Sequence, residues 1–198
     1  MADEFIEQDF SGVDWYAEER TGDRFIRCRF HHADLTESQT HGVIFEDCDF
    51  GNAKFNASTH EESAFVNCKF ERTSFFDATL TGCKLAGSEF ISAALRPLSA
   101  EGGDWAYVSL RLADLTDVVL RDVRLVEADF TGANLTGADL SGADLSRAVL
   151  TEADIRRADL RRATLDHLDT SGLDITGVRL GIAQAIALAQ HRGAVVEA

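Results

Sequence analysis

One register runs through this 198-residue chain. Of the 36 positions divisible by five between 5 and 180, all but five hold Phe, Leu, Ile or Trp. The exceptions are Arg20, Thr40, His60, Ala100 and Thr170. Twelve of the 13 phenylalanines lie in the register, with Phe76 alone outside it, and both tryptophans, Trp15 and Trp105, belong to it. A period of five fits neither the 3.6 of a helix nor the 2 of a strand. It requires a path that turns a corner every five residues and then repeats, which is a solenoid.

A second column lies two residues before each large one. From Cys28 onward it is small or modest (Ala33, Ser38, Val43, Cys48), and from 128 to 163 it is Ala in every repeat. Second neighbours point the same way in extended chain, so the small and large residues face inward together. Thr-Gly and Ser-Gly pairs at 131–132, 136–137 and 141–142 supply turn chemistry. Cys28, Cys48 and Cys68 recur at every fourth repeat, as do Arg20, Thr40 and His60. Four faces per coil would stack each set in one column, and the register then makes about nine coils. At roughly 4.8 Å per coil the rod is on the order of 40 Å long.

Three places depart from the pattern. "RPLSAEGGDW" at 96–105 combines a proline, a small centre at Ala100 and two glycines, yet Trp105 resumes the phase. Segment 96–104 therefore reads as a bulge or loop dividing the rod, or as an imperfection without consequence. Arg20, Thr40 and His60 would be buried if the repeat held, and an unpaired buried Arg is costly. An irregular face with these side chains swung outward is expected. After 180 the register stops, and "GIAQAIALAQHRGAVVEA" reads as a short helix with a glycine stop. The expected organisation is a solenoid over 1–180 followed by a C-terminal cap over 181–198. Ile182, Ile186, Leu188, Val195 and Val196 would close the last coil and dock on a twin.

The chemistry of sites is sparse. No phosphate-binding glycine loop, HExxH or GxSxG element occurs. The histidines at 31, 32, 41, 60, 167 and 191 are scattered, and the four cysteines form no CxxC pair. Thiols acting as small buried hydrophobes are expected, with no metal, cofactor or catalysis. With 34 acidic and 19 basic residues the net charge is −15, which argues against nucleic-acid binding and favours a partner with a positive surface. Every face is net negative: over residues 3–182 the four faces carry 10, 7, 8 and 8 acids against 5, 4, 4 and 5 bases. No apolar run is long enough to span a membrane, and MADEFIEQDF lacks the features of a secretory signal, so a cytoplasmic protein is expected.

"ANLTG", "ADLSG" and "ADLSR" at 133–147 resemble the A(D/N)LXX consensus of the pentapeptide-repeat family. The resemblance covers about residues 5–180. It implies an all-β fold, a right-handed quadrilateral β-helix with a stacked Phe and Leu ladder inside and a short C-terminal α-helix. "LTESQTHG" at 35–42, "FERTSF" at 70–75, "LRPL" at 95–98 and "AQAIALAQHRG" at 183–193 are similar to the MfpA-type, fluoroquinolone-resistance branch of that family. That resemblance implies a homodimeric DNA mimic that binds DNA gyrase, inhibits it and protects it from fluoroquinolones. Asp114, Asp117, Asp154 and Asp174 share one face of the C-terminal half and are the candidate phosphate mimics. A non-enzymatic repeat scaffold for another protein partner is the alternative.

Overall fold

A computed structural model describes residues 2–191 and 193–196. The strands are short: β1 (Glu4–Ile6), β2 (Glu19–Thr21), β3 (Arg24–Ile26), β4 (Gln39–His41), β5 (Ile44–Glu46), β6 (Thr59–Glu61), β7 (Ala64–Val66), β8 (Lys69–Glu71), β9 (Ala78–Thr81), β10 (Glu89–Ile91), β11 (Leu98–Glu101) and β12 (Val119–Arg121). All strand pairs are parallel, and partners lie four repeats apart, as in Phe5↔Phe25 and Ala100↔Leu120. One face stacks β1, β3, β5 and β7; another stacks β2, β4, β6, β9, β11 and β12. Isolated bridges carry the second face onward through Val119↔Asp139, Asp139↔Asp159 and Asp159↔Arg179. Six strands and three further rungs give nine levels on that face. The chain is thus a four-sided β-helix with four repeats to each coil.

Corners form because the second residue after each centre, Leu95 and Leu180 excepted, has positive φ. Many are not glycine: Glu37, Asp77, Asp117 and Arg157 have φ of 58, 59, 57 and 61°. At turn corners the centre carbonyl accepts the amide three residues on, as in Val13 N to Phe10 O at 3.1 Å. An Asp before the centre adds a second clasp, its Oδ1 accepting the amide two residues on: Asp14 from Tyr16, Asp34 from Thr36, Asp154 from Arg156. This is the Asx-turn geometry that makes Asp and Asn good turn residues. The Asp/Asn of the repeat is therefore a structural clasp as well as a charge.

The interior is a set of ladders. Phe10, Phe30, Phe50, Phe70 and Phe90 stack at centroid spacings of 5.0, 4.9, 5.2 and 4.8 Å, matching the spacing of paired strands. Adjacent columns meet edge to face, as in Phe45 and Phe50 at 5.3 Å. Leucines take over from Leu110, and the cysteines Cys28, Cys48, Cys68 and Cys83 are buried free thiols. Burial pushes the Cys83 thiol up to about 11.

Two expectations are corrected. The face of Arg20, Thr40 and His60 is regular, and only Arg20 reaches solvent. Thr40 and His60 are buried and point inward. Polar partners make this tolerable: Ser58 Oγ donates to Phe55 O at 2.7 Å and accepts from His60 Nε2 at 2.9 Å, while Thr40 Oγ1 donates to His60 Nδ1 at 2.7 Å. Ser63 Oγ closes the network 2.9 Å from Thr40 Oγ1. Arg20 lies at the end of the rod, its guanidinium 3.8 Å from the Trp15 ring and paired with Glu18 and Asp23. Segment 96–104 neither loops out nor divides the rod. After the cis Arg96–Pro97 peptide, β11 keeps register with β9 and β12, and Asp104 bridges Lys84 and Arg124.

Gly103 is required there. A Cβ at this position, with φ at 89°, would stand 2.0 Å from the Cys83 carbonyl oxygen of the preceding coil. That oxygen accepts the Asp104 amide at 3.0 Å, so the coils cannot separate without losing the bond. Gly103→Ala should cost about 3 kcal/mol in urea denaturation. Gly102→Ala, with nothing within 4 Å, should cost about 1 kcal/mol for positive φ alone.

Helix α1 (Ile182–His191) folds across the end of the rod. Leu188 is buried in the core cluster, and Gln184 Nε2 donates to Ala163 O at 2.9 Å. Within the expected cap segment 181–198, Arg192, Glu197 and Ala198 lie outside the described residues, as does Met1 at the other end.

Candidate interaction surface

Asp114 and Asp154 stand in one column through the bridges Asp114↔Asn134 and Asn134↔Asp154. Asp174 belongs to the next coil, but no bridge joins it to Asp154 among the described residues. The carboxylates of this column are engaged. Asp114 accepts from Thr116 N and Oγ1 at 3.1 and 2.6 Å and pairs with Arg96 at 2.7 Å. The Thr116 hydroxyl and the Arg96 guanidinium hold its carboxyl below the usual range. Asp154 forms a two-pronged ion pair with Arg156 that brings its carboxyl down to about 2. Asp174 accepts from Thr176 N and Oγ1 at 2.9 and 2.6 Å, and that hydroxyl lowers it.

Asp117 differs. It is exposed at a corner with φ of 57°, and its Oδ1 lies 2.2 Å from where a Cβ of Gly137 would be. Asp122 sits over Gly142 in the same way, at 1.9 Å. Glycine at these corners leaves room for a carboxylate of the previous coil, and neither acid forms an ion pair among the described residues. Of the four candidate acids, Asp117 and Asp174 thus present charge without a salt bridge, whereas Asp114 and Asp154 are neutralised by arginine.

The distribution along the rod was not anticipated. Residues 1–60 hold 13 acids and 5 bases, 61–120 hold 9 and 5, and 121–180 hold 11 and 8. The negative potential is therefore concentrated at the N-terminal end. The C-terminal third carries the doublets Arg156–Arg157 and Arg161–Arg162; Arg156 and Arg161 pair with Asp154 and Asp159, while Arg157 and Arg162 have no ion pair among the described residues. The doublets in "IRRADLRRATL" were the available signal.

Asp154 offers a test of clasp against charge. Asn134 performs the same turn bond with a neutral amide, accepting from Thr136 N at 3.1 Å. Asp154→Asn keeps the turn bond and loses only the exposed Arg156 pair, so it should cost less than about 1 kcal/mol at neutral pH, and Asp154→Ala should lose about 1 kcal/mol more in thermal or urea unfolding, as when a helix cap is removed.

Of the candidate docking residues, Leu188 is buried on the inner side of α1, whereas Ile182, Ile186, Val195 and Val196 are exposed. Among the described residues no group of three or more His, Cys, Asp or Glu side chains is placed to hold a metal ion, and no helix is long and apolar enough to cross a membrane.

The family profile for pentapeptide repeats matches residues 24–59, 113–151, 128–166 and 143–181, with eight copies. No curated protein matches the chain in sequence. Among solved structures, a trypsin-treated single-residue variant of QnrB1, described as a plasmid-mediated fluoroquinolone resistance protein, is 25% identical and superposes with a TM-score of 0.92, covering 100% of this chain and 99% of its own. Full-length QnrB1 is 24% identical with a TM-score of 0.71, covering 96% of this chain and 100% of its own. The latter shows likeness of fold.

Proposed function

The chain belongs to the pentapeptide-repeat family, and from that premise we propose that it is a non-enzymatic DNA mimic that binds DNA gyrase, modulates or inhibits it and protects it from fluoroquinolones. The observation that carries this reading is end-to-end likeness to a fluoroquinolone-resistance protein, with a TM-score of 0.92 at 25% identity. The net charge of −15 on a slender rod supports it, because ordered carboxylates offer a Lys- and Arg-lined DNA-binding surface what phosphates offer. The reading places the protein in the cytoplasm, where gyrase works, as a homodimer joined through the C-terminal segment with Ile182, Ile186, Val195 and Val196 at the junction and Leu188 beneath it. Asp117 and Asp174 are its foremost candidate contacts in the C-terminal half, with Asp114 and Asp154 as contributors once their arginines are displaced.

Gyrase holoenzyme passed over the immobilised protein tests the binding step. Retention should be strong at low salt and fall steeply as the Debye length shrinks from about 10 Å towards about 3 Å. Passage of gyrase without retention at low salt would leave the scaffold reading, with another protein partner, in its place.

A further inference from the structure

On one face of the rod the free charges follow a fixed order. Lys84, Arg157 and Arg162 alone among the described Lys and Arg side chains form no ion pair. Arg157 and Arg162 are exposed and stand at the two corners that bound the face running through Val119, Asp139 and Asp159. Two coils earlier, in the same corner columns, stand Asp117 and Asp122, also exposed and also without an ion pair among the described residues. A glycine lies between each acid and its arginine, Gly137 at one corner and Gly142 at the other. Both corners thus read acid, glycine, arginine at successive coils. The strip between them carries no free charge in these coils: Asp139 pairs with Arg121 at 2.6 Å, and Asp159 pairs with Arg161 and Arg179 at 2.6 and 3.3 Å. The corner side chains therefore decide what this face attracts.

That order is self-complementary. A two-fold axis lying across the face at Gly137 and Gly142 turns a second copy antiparallel and sets each corner against its own counterpart. Asp117 then meets the second copy's Arg157, and Asp122 meets its Arg162, with the reciprocal contacts on the other side of the axis. Acid and arginine are separated by roughly 10 Å along the rod at both corners, so one register serves both. At the axis the glycines put no side chain between the copies. Other arrangements fail. Moving the axis by one coil sets Asp117 and Asp122, or Arg157 and Arg162, against themselves. Parallel rods bring Asp117 to Asp122 and Arg157 to Arg162. A partner surface of one sign would be repelled by half of the strip, whereas a second copy matches all of it.

We propose that this face pairs side by side with the same face of a second copy, antiparallel, through Asp117–Arg157 and Asp122–Arg162 contacts. The contact is separate from the tail junction and does not rest on the gyrase reading. Exposed ion pairs contribute little each, so the association is weak and sensitive to salt.

Charge exchange tests it. Full-length Asp117→Arg/Asp122→Arg protein carries four positive corner side chains, and Arg157→Asp/Arg162→Asp protein carries four negative ones. Each swap places a residue type already found in the same column, at φ of 53–64°. Both variants stay acidic overall, from a starting charge of −15, so bulk attraction does not draw them together. In sedimentation at about 10 mM salt, where the Debye length is about 30 Å, wild type should form a species at least twice the mass of either variant alone. An equimolar mixture of the variants should restore that species, and about 1 M salt should remove it from wild type. Wild type and both variants sedimenting alike overturns the contact. So does a mixture that stays at the mass of the separate variants, or a heavy wild-type species that survives about 1 M salt. The tail junction is read separately from the variants alone, which are dimers if it forms and monomers if it does not.

Discussion

Phe50→Ala should lower the free energy of unfolding by about 3–5 kcal/mol, the range for deleting a fully buried phenylalanine. Phe50 has no exposed surface. It stacks on Phe30 and Phe70 at 4.9 and 5.2 Å and meets Phe45 and Phe55 edge to face at 5.3 and 5.2 Å. The cost belongs at the upper end because the site cannot collapse. Coil spacing is fixed by backbone bonds, with Phe50 N to Lys69 O at 2.8 Å and Asp49 N to Cys28 O at 3.1 Å. Neighbouring rings cannot move along the axis to fill the void without breaking them. Phe76, the one phenylalanine outside the register, is exposed, and Phe76→Ala should change stability by only about 0.5 kcal/mol or less. Urea denaturation of the two variants measures the contrast, and similar costs at both sites would refute the ladder account.

Acid should destabilise the protein in a window set by His60. Burial holds the imidazole down to about 3, against 6.5 when unfolded. Between those values the unfolded chain binds a proton that the folded chain refuses. Stability is therefore complete above about pH 6.5 and declines as pH falls, by roughly 2–3 kcal/mol at pH 4.5 and roughly 4 kcal/mol near pH 3. Carboxylates add a separate acid loss at lower pH: Asp154, held at about 2, sheds its contribution as pH drops from about 4 towards 2. Comparing wild type with His60→Leu between pH 6.5 and 4.5 isolates the imidazole. Leucine is already the next residue of that column, at Leu80, and Ser58 and Thr40 keep bonds to Phe55 O and Ser63 Oγ. The variant should lose most of the slope in that window. An equal slope in both proteins would show that His60 is not the acid-sensitive group.

The register alone revealed the solenoid because a buried ladder demands one large residue at every fifth position, whatever its neighbours do. The four-repeat coil was likewise legible from Cys28, Cys48 and Cys68. Hydropathy misleads at Arg20, Thr40 and His60. It treats each polar side chain singly, whereas stacking supplies Thr40, Ser58 and Ser63 as partners for one imidazole and Trp15 for one guanidinium. Segment 96–104 misleads for a related reason: Pro97 and two glycines suggest a loop, but pairing with coils above and below imposes strand on β11. The repeat's aspartates have two roles that spacing cannot separate. A five-residue register gives Asp114 and Asp117 the same outward direction, yet one clasps a turn and pairs with Arg96 while the other lies over Gly137 without an arginine. Such partners come from neighbouring coils, often a full coil away along the chain, and their geometry exists only once the rod is wound.

The central claim is that this rod acts on gyrase through its surface without performing chemistry of its own. Gyrase supercoiling of relaxed plasmid, titrated with the purified protein at micromolar levels with and without a fluoroquinolone, tests it most directly. The account predicts falling supercoiling as the protein is added, and less drug-stabilised DNA cleavage in its presence. Supercoiling and cleavage both unchanged across the titration would contradict it.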